Sequence, residues 1–579
     1  MDSFINGKKP KRWIAPEIIT PEAEHELEEY PVVFRQVLFS RGLDTTEKAH
    51  EFLQNSMAEH NPLLMKGMEE AAEIIKTSIL MGNPIVVYGD YDVDGVTATA
   101  LMVQVIRELG GVVMEYIPNR FDEGYGLNLD AINELHHQNV SLIITVDCGI
   151  RSVKEAELAR ELGIKLIITD HHHPLETIPG ADVVICPRQE GDDYPYKDLA
   201  GVGIAYKVAR ILFGKFGKDP KEAERWLDLV ALGTVSDVAP LTGENRLLVK
   251  LGLDSINTNT RTGLYSLLAV SGMISTDSKP IKPKKVTAGD IGFKLGPRLN
   301  AAGRMESAMK ALHLLMSDDI QNTGLLAQEL QQQNNMRQEN TLKNQQNAEA
   351  KLSDIENLPM LIAFGSEEEF HSGIVGLVAA RLVESHYRPA IVGVIGEETT
   401  RASCRSIDEF HITKALDECA DLLVRHGGHS KAAGFTVSNE NREILKERLL
   451  EIASRQLNPD ELVPAIHYDA EAQLDDLKID VYRLLEQMEP TGNENPKPVF
   501  LTKNLKVIRK SLIGTEKNHL RMTVRNENGL TIDAIGFRMG TWYEEMPEKV
   551  DILYHFELNV YKDHESFQLN LCDIRPSEV

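Results

Sequence analysis

From about Lys76 to Pro240 two hydrophobic patterns take turns along the chain. Uninterrupted β-branched runs predict strands buried on both faces: PIVVYGDYD (84–92), GVVMEYIPN (111–119), SLIITVDCG (141–149), IKLIITDHHH (164–173) and ADVVICPR (181–188). Between them VTATALMVQVIRELGG (96–111), LDAINELHHQ and VKEAELARELG place apolar residues at i, i+3 and i+4, the spacing of a helix. Strands without a polar face, joined by helices, predict an α/β domain on a parallel sheet covered on both sides. Ligands of such sheets bind outside the carboxyl ends of the strands. The polar residues of this segment collect at those ends, which predicts one cleft.

The pattern then changes. Residues 325–352 (LLAQELQQQNNMRQENTLKNQQNAEAKL) contain neither Pro nor Gly and are rich in helix formers, which predicts one long exposed helix connecting two globular parts. A smaller α/β unit follows, with strands at MLIAF and PAIVGVIG, helices at HSGIVGLVAARLVES and REILKERLLEIASRQ, and a glycine-rich HGGHSKAAGF. After about Ala465 five short β-like runs predict a small antiparallel barrel or sandwich. The expected division is an α/β domain with an N-terminal extension (1–324), a connecting helix (325–352), a smaller α/β domain (353–458) and a β-rich domain (459–579).

A chain of 579 residues with 42% apolar residues can bury a core in each of these parts. The net charge of −26 excludes a protein that coats nucleic acid by bulk attraction, so a polyanion would be held by local basic patches or by metal ions. Five cysteines, an odd number with no C-x-x-C pair, argue against a disulfide framework or a cysteine zinc site and fit a reducing compartment. No signal-like apolar segment and no membrane-length apolar run is present, so a soluble cytoplasmic protein is expected.

The sharpest chemical signal is GDYDVDG (89–95), where Asp90, Asp92 and Asp94 follow an apolar strand. Carboxylates this close repel one another unless cations neutralise them. An EF-hand loop starts the same way, but it follows a helix and needs Glu at its twelfth position, where this chain has Leu101. Two more strands end in acids: Asp147 after SLIITV, and Asp170 with His171, His172 and His173 after KLIIT. Asp237 follows an apolar helix in LGTVSDVAPL. Carboxylates with one or two imidazoles suit Mn²⁺ or Mg²⁺ better than structural zinc. Four acidic stations and a His pair suffice for two ions sharing a carboxylate, an arrangement that activates water for attack on a phosphoryl group.

Anion-binding candidates accompany them: Arg120 in PNRFDEGYGLN, Arg298, Asn300 and Arg304 in GPRLNAAGRM, Ser403 and Arg405 in RASCRSI, and His429 in HGGH. Arginine forks match phosphate oxygens, and small neighbours allow close approach of backbone. Charge is also concentrated locally. Residues 279–304 carry seven basic side chains against Asp290, and residues 494–525 carry eight against Glu494 and Glu516. The second patch alternates with apolar residues on the β-rich part, as in an electrostatic groove for a single strand.

Taken in order, YGDYDVDG, PNRFDEGYGLN, TVDCGI, TDHHH, GTVSDVAPL, GPRLNAAGRM, HSGIVGLVAARL, SCRSI and GGH resemble the RecJ family of the DHH phosphoesterase superfamily over nearly the whole chain. The resemblance implies a DHH catalytic domain, a long connecting helix, a DHHA1 domain and a C-terminal OB fold. It implies a 5′→3′ exonuclease that hydrolyses single-stranded DNA to 5′-mononucleotides in DNA repair and recombination. By motif, Asp92, Asp94, Asp147, His171 and Asp237 would be metal ligands, with Asp90 in the same motif as ligand or support, and His172 would contact the scissile phosphate. Arg120, Ser403 and Arg405 would form the 5′-phosphate pocket, Arg298 and Arg304 would contact the DNA backbone, and His429 would lie near the cleft. Ala402 departs from the glycine common before that serine. A helicase and a single-strand-binding protein are implied as partners by the same resemblance. The rival reading is a DHH–DHHA1 phosphodiesterase of short oligonucleotides or cyclic dinucleotides, although such relatives are shorter and lack the basic β-rich part.

Overall fold

The computed structural model describes residues 11–54, 59–119, 126–275, 282–459, 462–561 and 564–577. Two compact units emerge, one of residues 58–462 with 492–495, the other of residues 1–57 with 463–491 and 496–579. The N-terminal segment thus clusters with the C-terminal β-rich segment and not with the sheet that follows it in sequence.

In the larger unit, Ile85–Tyr88 (β1), Val113–Tyr116 (β2), Leu142–Val146 (β3), Lys165–Thr169 (β4) and Val183–Ile185 (β5) form a sheet of order β2-β1-β3-β4-β5, parallel throughout. Every residue of β1 and β3 is buried, as their unbroken apolar runs require. The strand order reverses between β1 and β3, so a crevice opens outside their carboxyl ends, where ligands of doubly wound sheets bind. Helix Val93–Glu108 (α1) begins inside the acidic motif because Asp92 caps it. It packs against Gly201–Lys215 (α2) and Leu227–Ser236 (α3), with Gly243–Thr258 (α4) behind, and is buried on nearly all sides. Each large aliphatic side chain removed from water there contributes about 1.5–3 kcal/mol.

Helix Gly296–Met305 (α5) precedes the connecting helix Ile320–Ala350 (α6), whose 31 residues span roughly 46 Å. The sequence predicts an exposed helix; in the structure one stripe is buried, and it is mostly polar: Thr323, Gln333, Asn334, Thr341 and Asn344, with Ala327, Leu330 and Ala348. Polar side chains succeed there because their partners are polar too. Thr323 shares a hydrogen bond with Ser266 at 2.9 Å, and Gln333 donates to Glu306 at 3.0 Å.

Beyond α6, Leu361–Gly365 (β6), helix Val375–His386 (α7), Ala390–Ile395 (β7), Thr399–Arg405 (β8), Leu423–Gly428 (β9) and Ala432–Ser438 (β10) build a second sheet of order β9-β10-β8-β7-β6. Only β6 and β7 pair in parallel. The glycine-rich HGGHSKAAGF becomes the β9–β10 hairpin.

In the smaller unit Phe500–Ile513 (β11), His519–Arg525 (β12), Thr531–Gly536 (β13), Lys549–Tyr561 (β14) and His564–Pro576 (β15) close into a five-stranded barrel, as β11 pairs with both β12 and β14. Phe500, Met522, Ile552, Tyr554 and Leu569 fill it, and Phe34, Val37 and Leu38 from the N-terminal segment extend the same core. The five cysteines are unpaired, and among the described residues no helix is long and apolar enough to cross a membrane.

Candidate metal centre and flanking anion stations

Four loops at the carboxyl end of the first sheet converge. In the first, Asp92 accepts from the backbone N–H groups of Asp94 at 2.9 Å and Gly95 at 3.2 Å. That turn aims Asp94 into the domain. Its oxygens accept from Gly201 and Val202 N–H at 2.7 and 2.8 Å, at the amino end of α2, where the helix dipole favours a carboxylate. In the second loop Asp147 holds φ at +63°, a left-handed conformation uncommon outside glycine. In the third, Asp170 accepts from the N–H groups of Ile150, His171 and His172 and from His172 Nδ1 at 2.7 Å. In the fourth, Asp237 ends α3, and Val238 after it has φ of +59°, a genuine outlier for a β-branched residue. Left-handed backbone on two converging loops costs about 1–3 kcal/mol each, so the surrounding packing has to hold both loops in place.

His171 Nε2 lies 3.1 Å from Asp147 Oδ1 and 3.8 Å from the Oδ2 atoms of Asp94 and Asp237. Three overlapping groups have ligand atoms within 4.8 Å of one another: Asp147 with His171 and His172, Asp94 with His171 and Asp237, and Asp90 with Asp92 and Asp147. Asp147 and His171 each belong to two groups, the pattern of adjacent ion positions with shared ligands. Asp147 Oδ1 and His171 Nε2 are buried and, apart from their 3.1 Å approach to each other, have no hydrogen-bond partner among the described residues. A hard, oxygen-dominated set with one or two imidazoles fits Mn²⁺ or Mg²⁺.

The electrostatics agree. Burial, then the charge of Asp92, pushes Asp94 up to about 7. Burial, then Asp94 and Asp92, pushes Asp237 up to about 9. Asp147 is raised well above the carboxylate range by burial and by Asp94, Asp92, Asp237 and Asp90. Burial and the neighbouring His172 push His171 down to about 3, so it stands neutral, as a metal-binding imidazole must. Burial would raise Asp170, but the hydrogen bond and charge of His172 hold it low. Against its own burial, the bond and charge of Asp170 raise His172.

Glycines make the convergence possible. A Cβ at Gly201 would meet Asp147 Cβ at 2.6 Å, and one at Gly233 would meet Asp94 Oδ1 at 2.9 Å. Gly201→Ala is therefore expected to displace Asp147 and weaken Mn²⁺ binding by roughly 10–100-fold, the usual effect of disturbing a ligand's support. Titration calorimetry checks this; unchanged affinity would show that α2 does not set the position of Asp147.

Of the other sequence-predicted residues, Ser403 and Arg405 share the outward face of β8, opposite buried Ala402 and Cys404. A Cβ at Gly376 would lie 3.2 Å from an Arg405 guanidinium nitrogen and 3.6 Å from Ser403 Oγ, so the first turn of α7 sits over both. The His429 ring is 6.1 Å from that of His173, which brings the β9–β10 turn to the DHH loop. Asn300 and Arg304 line a cavity with Ser236, beside Asp237. Arg298 is tied to Gln331 at 2.8 Å and to the Lys294 carbonyl at 2.7 Å. Arg120 lies outside the described residues. On the barrel, Lys497, Lys503, Lys506 and Arg521 ion-pair with Glu557, Glu471, Glu548 and Asp533, so acids distant in sequence neutralise half of the eight-residue basic patch.

Sequence reasoning missed two contributors and the role of a third. Arg188, at the end of ADVVICPR, hydrogen-bonds His173 and pairs with Asp198, and its charge reaches Asp237 and His171. Its place after a strand was the available signal. Asp170 was noted as one of the acids at its strand end, but nothing local announced that it orients His172. The Gly201 and Val202 N–H pair carried no signal beyond the small residues of LAGVG.

The DHH family, N-terminal domain, matches residues 84–234, the DHHA1 domain residues 357–458 and the RecJ OB domain residues 468–573. The chain is 39% identical to the single-stranded-DNA-specific exonuclease RecJ of Bacillus subtilis (strain 168), covering 94% of this chain and 68% of that protein. It is 33% identical to the protein of the same name from Escherichia coli (strain K12), covering 95% and 96% respectively. The crystal structure of RecJ in complex with Mn²⁺ from Thermus thermophilus superposes with a TM-score of 0.82 at 28% identity, over 98% of this chain and 80% of that one. A structure of RecJ from the same organism in complex with Mg²⁺ gives a TM-score of 0.76 at 27% identity, over 98% and 79%.

Proposed function

The chain belongs to the RecJ family of DHH phosphoesterases, and on that premise we propose that it is a metal-dependent exonuclease that degrades single-stranded DNA from its 5′ end to 5′-mononucleotides. The observation that carries the reading is the set of overlapping carboxylate–imidazole groups at the switch point of the parallel sheet.

Asp90, Asp92, Asp94, Asp147, His171 and Asp237 would hold two Mn²⁺ or Mg²⁺ ions. Such ions, when bound, polarise a phosphoryl oxygen and make a nucleophile from water near neutral pH. The protein's own part is positioning. Asp170 fixes His172 through Nδ1, which leaves Nε2 as the ring nitrogen for a phosphate oxygen, and the raised pKa favours the charged donor. Arg120, Ser403 and Arg405 would seat the 5′-phosphate, with His429 beside them, and Arg298, Asn300 and Arg304 would serve the backbone. Fixing the terminal phosphate at a set place relative to the ions gives a polarity and a one-nucleotide step.

We assign residues 1–324 to the catalytic part with its extension, 325–352 to the connector, 353–458 to the DHHA1 part and 459–579 to the OB-fold part that grips single strands. Action in the cytoplasm, in DNA repair and recombination, follows from the substrate. A helicase would expose the strand, and a single-strand-binding protein would occupy it first.

Digestion of 5′-phosphorylated and 5′-blocked oligonucleotides, single and duplex, with each metal tests this. Mononucleotides are expected from the phosphorylated single strand. Release from the 3′ end, or equal cutting of duplex, would refute it.

A further inference from the structure

Asp237 is held differently from the other acids of the metal centre. Asp94 accepts from two backbone N–H groups and Asp170 from three. No hydrogen bond among the described residues orients the Asp237 carboxylate, which lies 3.8 Å from His171 Nε2. Its direction is therefore set by the backbone of its own loop. That loop turns at Val238, whose φ of +59° is disfavoured for a β-branched residue. The Val238 side chain is 63% exposed, so its own packing does little to offset the cost. The turn has to be held from outside.

The far side of the loop is tied down by α4 and the segment before α2. Asn245 of α4 donates to the carbonyls of Asp198 and Pro240 at 2.6 and 3.1 Å, and the Tyr196 hydroxyl donates to that of Thr242 at 3.0 Å. The near side is met by a residue 255 positions further along the chain: Asn493 Nδ2 donates to the Val238 carbonyl at 2.8 Å. The Asn493 carbonyl in turn accepts from Leu241 N–H at 2.9 Å, so two bonds bracket the turn. Return of Val238 to an ordinary φ would swing its carbonyl away from Asn493 and break the first of them. Gly492 lets the contact seat, since a Cβ there would meet Cδ1 of buried Leu241 at 2.7 Å. Gly492 and Asn495 close this tight turn with reciprocal N–H to carbonyl bonds of 2.8 and 3.2 Å, and Glu494 within it has φ of +57°. Gly492–Asn495 cluster with the larger unit, although the residues on either side, 463–491 and 496–579, belong to the smaller one.

We propose that Asn493 is a positioning residue for Asp237: by holding the Val238 carbonyl it keeps the loop in the left-handed turn that directs Asp237 toward Asp94 and His171. A segment assigned to gripping single strands thereby also sets the affinity for one of the metal ions. This rests on the reading of Asp237 as a metal ligand. Asp237 belongs to the candidate group with Asp94 and His171 and not to that of Asp90, Asp92 and Asp147, so loss of Asn493 acts on one ion position and spares the other.

The test titrates the full-length protein with Mn²⁺ by calorimetry, with no substrate present. Asn493→Ala is expected to weaken one of two binding events by about 10–100-fold, the usual effect of losing a ligand's support, and to leave the other unchanged. Glycine adopts a left-handed turn without steric cost, so combining Val238→Gly with Asn493→Ala should restore most of the lost affinity. Asn493→Gln, which keeps the amide donor, should restore part of it. Degradation of a single-stranded oligonucleotide by Asn493→Ala should be slow at limiting Mn²⁺ and recover at saturating Mn²⁺. In EDTA, fluorescence anisotropy of a labelled oligonucleotide should give the same strand affinity for parent and variant. Equal weakening of both binding events, or a loss that Val238→Gly does not relieve, would overturn the proposal and leave Asn493 a merely structural contact. Intact Mn²⁺ binding with weakened strand binding would overturn it too, by making the turn a strand contact. A parent protein that shows both Mn²⁺ binding events and the expected response to Asn493→Ala, yet degrades no strand, would sink the nuclease reading alone.

Discussion

Asp147→Asn is expected to lower kcat by about 10³-fold or more, and to raise the melting temperature of the metal-free protein. The two effects share one cause. Asp147 sits between His171 and the Asp90–Asp92 pair and belongs to two of the three candidate ligand groups, so under the proposed reading its loss would remove a ligand common to both ion positions. In the metal-free protein the same carboxylate is a liability, because burial and four neighbouring acids raise its pKa well above that of an exposed aspartate. A carboxyl whose folded pKa exceeds its unfolded value destabilises the fold as pH rises above the unfolded value. Asparagine keeps the size and does not titrate. Calorimetry in EDTA should show the higher melting temperature at neutral pH, and Mn²⁺ should then stabilise the variant far less than the parent. A fully active variant, or one that melts lower in EDTA, would remove Asp147 from the metal centre.

The second large effect is on pH. Asp94 and Asp237 hold protons in the folded, metal-free state up to about 7 and about 9. Unfolded, they would lose them near the ordinary aspartate value of about 3.9. Between those limits the folded state binds more protons than the unfolded one, so metal-free stability falls as pH rises through the window. His171 acts in the opposite sense: its folded pKa of about 3 lies below the unfolded value, so its contribution is lost as pH drops below about 6.5. Metal binding must expel the carboxyl protons, so affinity for Mn²⁺ should climb from about pH 6 to about pH 9 with measurable proton release. Titration calorimetry in buffers of different ionisation enthalpy checks both. An affinity independent of pH over that range, without proton release, would mean that the acids are already ionised and that ions do not meet there.

How much of this was legible beforehand varies with the range of the interaction. The five strands of the first sheet are nearest-neighbour information, since β-branched runs such as IVVY and LIITV leave a chain few alternatives to a doubly covered strand. GDYDVDG and DHHH declared themselves as metal-type motifs because repelling carboxylates at a strand end need a counter-charge. The β-rich part, too, was visible in its short runs, which left barrel and sandwich open until the pairing of β11 with both β12 and β14 closed it. The connecting helix was right in kind and wrong in surface: a stripe of Thr, Gln and Asn looks solvent-facing until its polar partners, Ser266 and Glu306, are known. The basic patch on the barrel looked stronger than it is, because the acids that neutralise it come from other segments of the chain.

By itself, the sequence determined which side chains could bind ions and phosphate, and which segments had to be strands, because both follow from residue type and short spacing. The tertiary structure alone decided that strands β1, β3 and β4 and helix α3 deliver their acids and His171 to one point, with strained backbone at Asp147 and Val238. It alone placed Asn493 on the carbonyl of Val238, 255 residues away in the chain. The reason is physical: metal affinity and anion affinity depend on distance and on exclusion of water, and neither quantity exists until distant segments pack together.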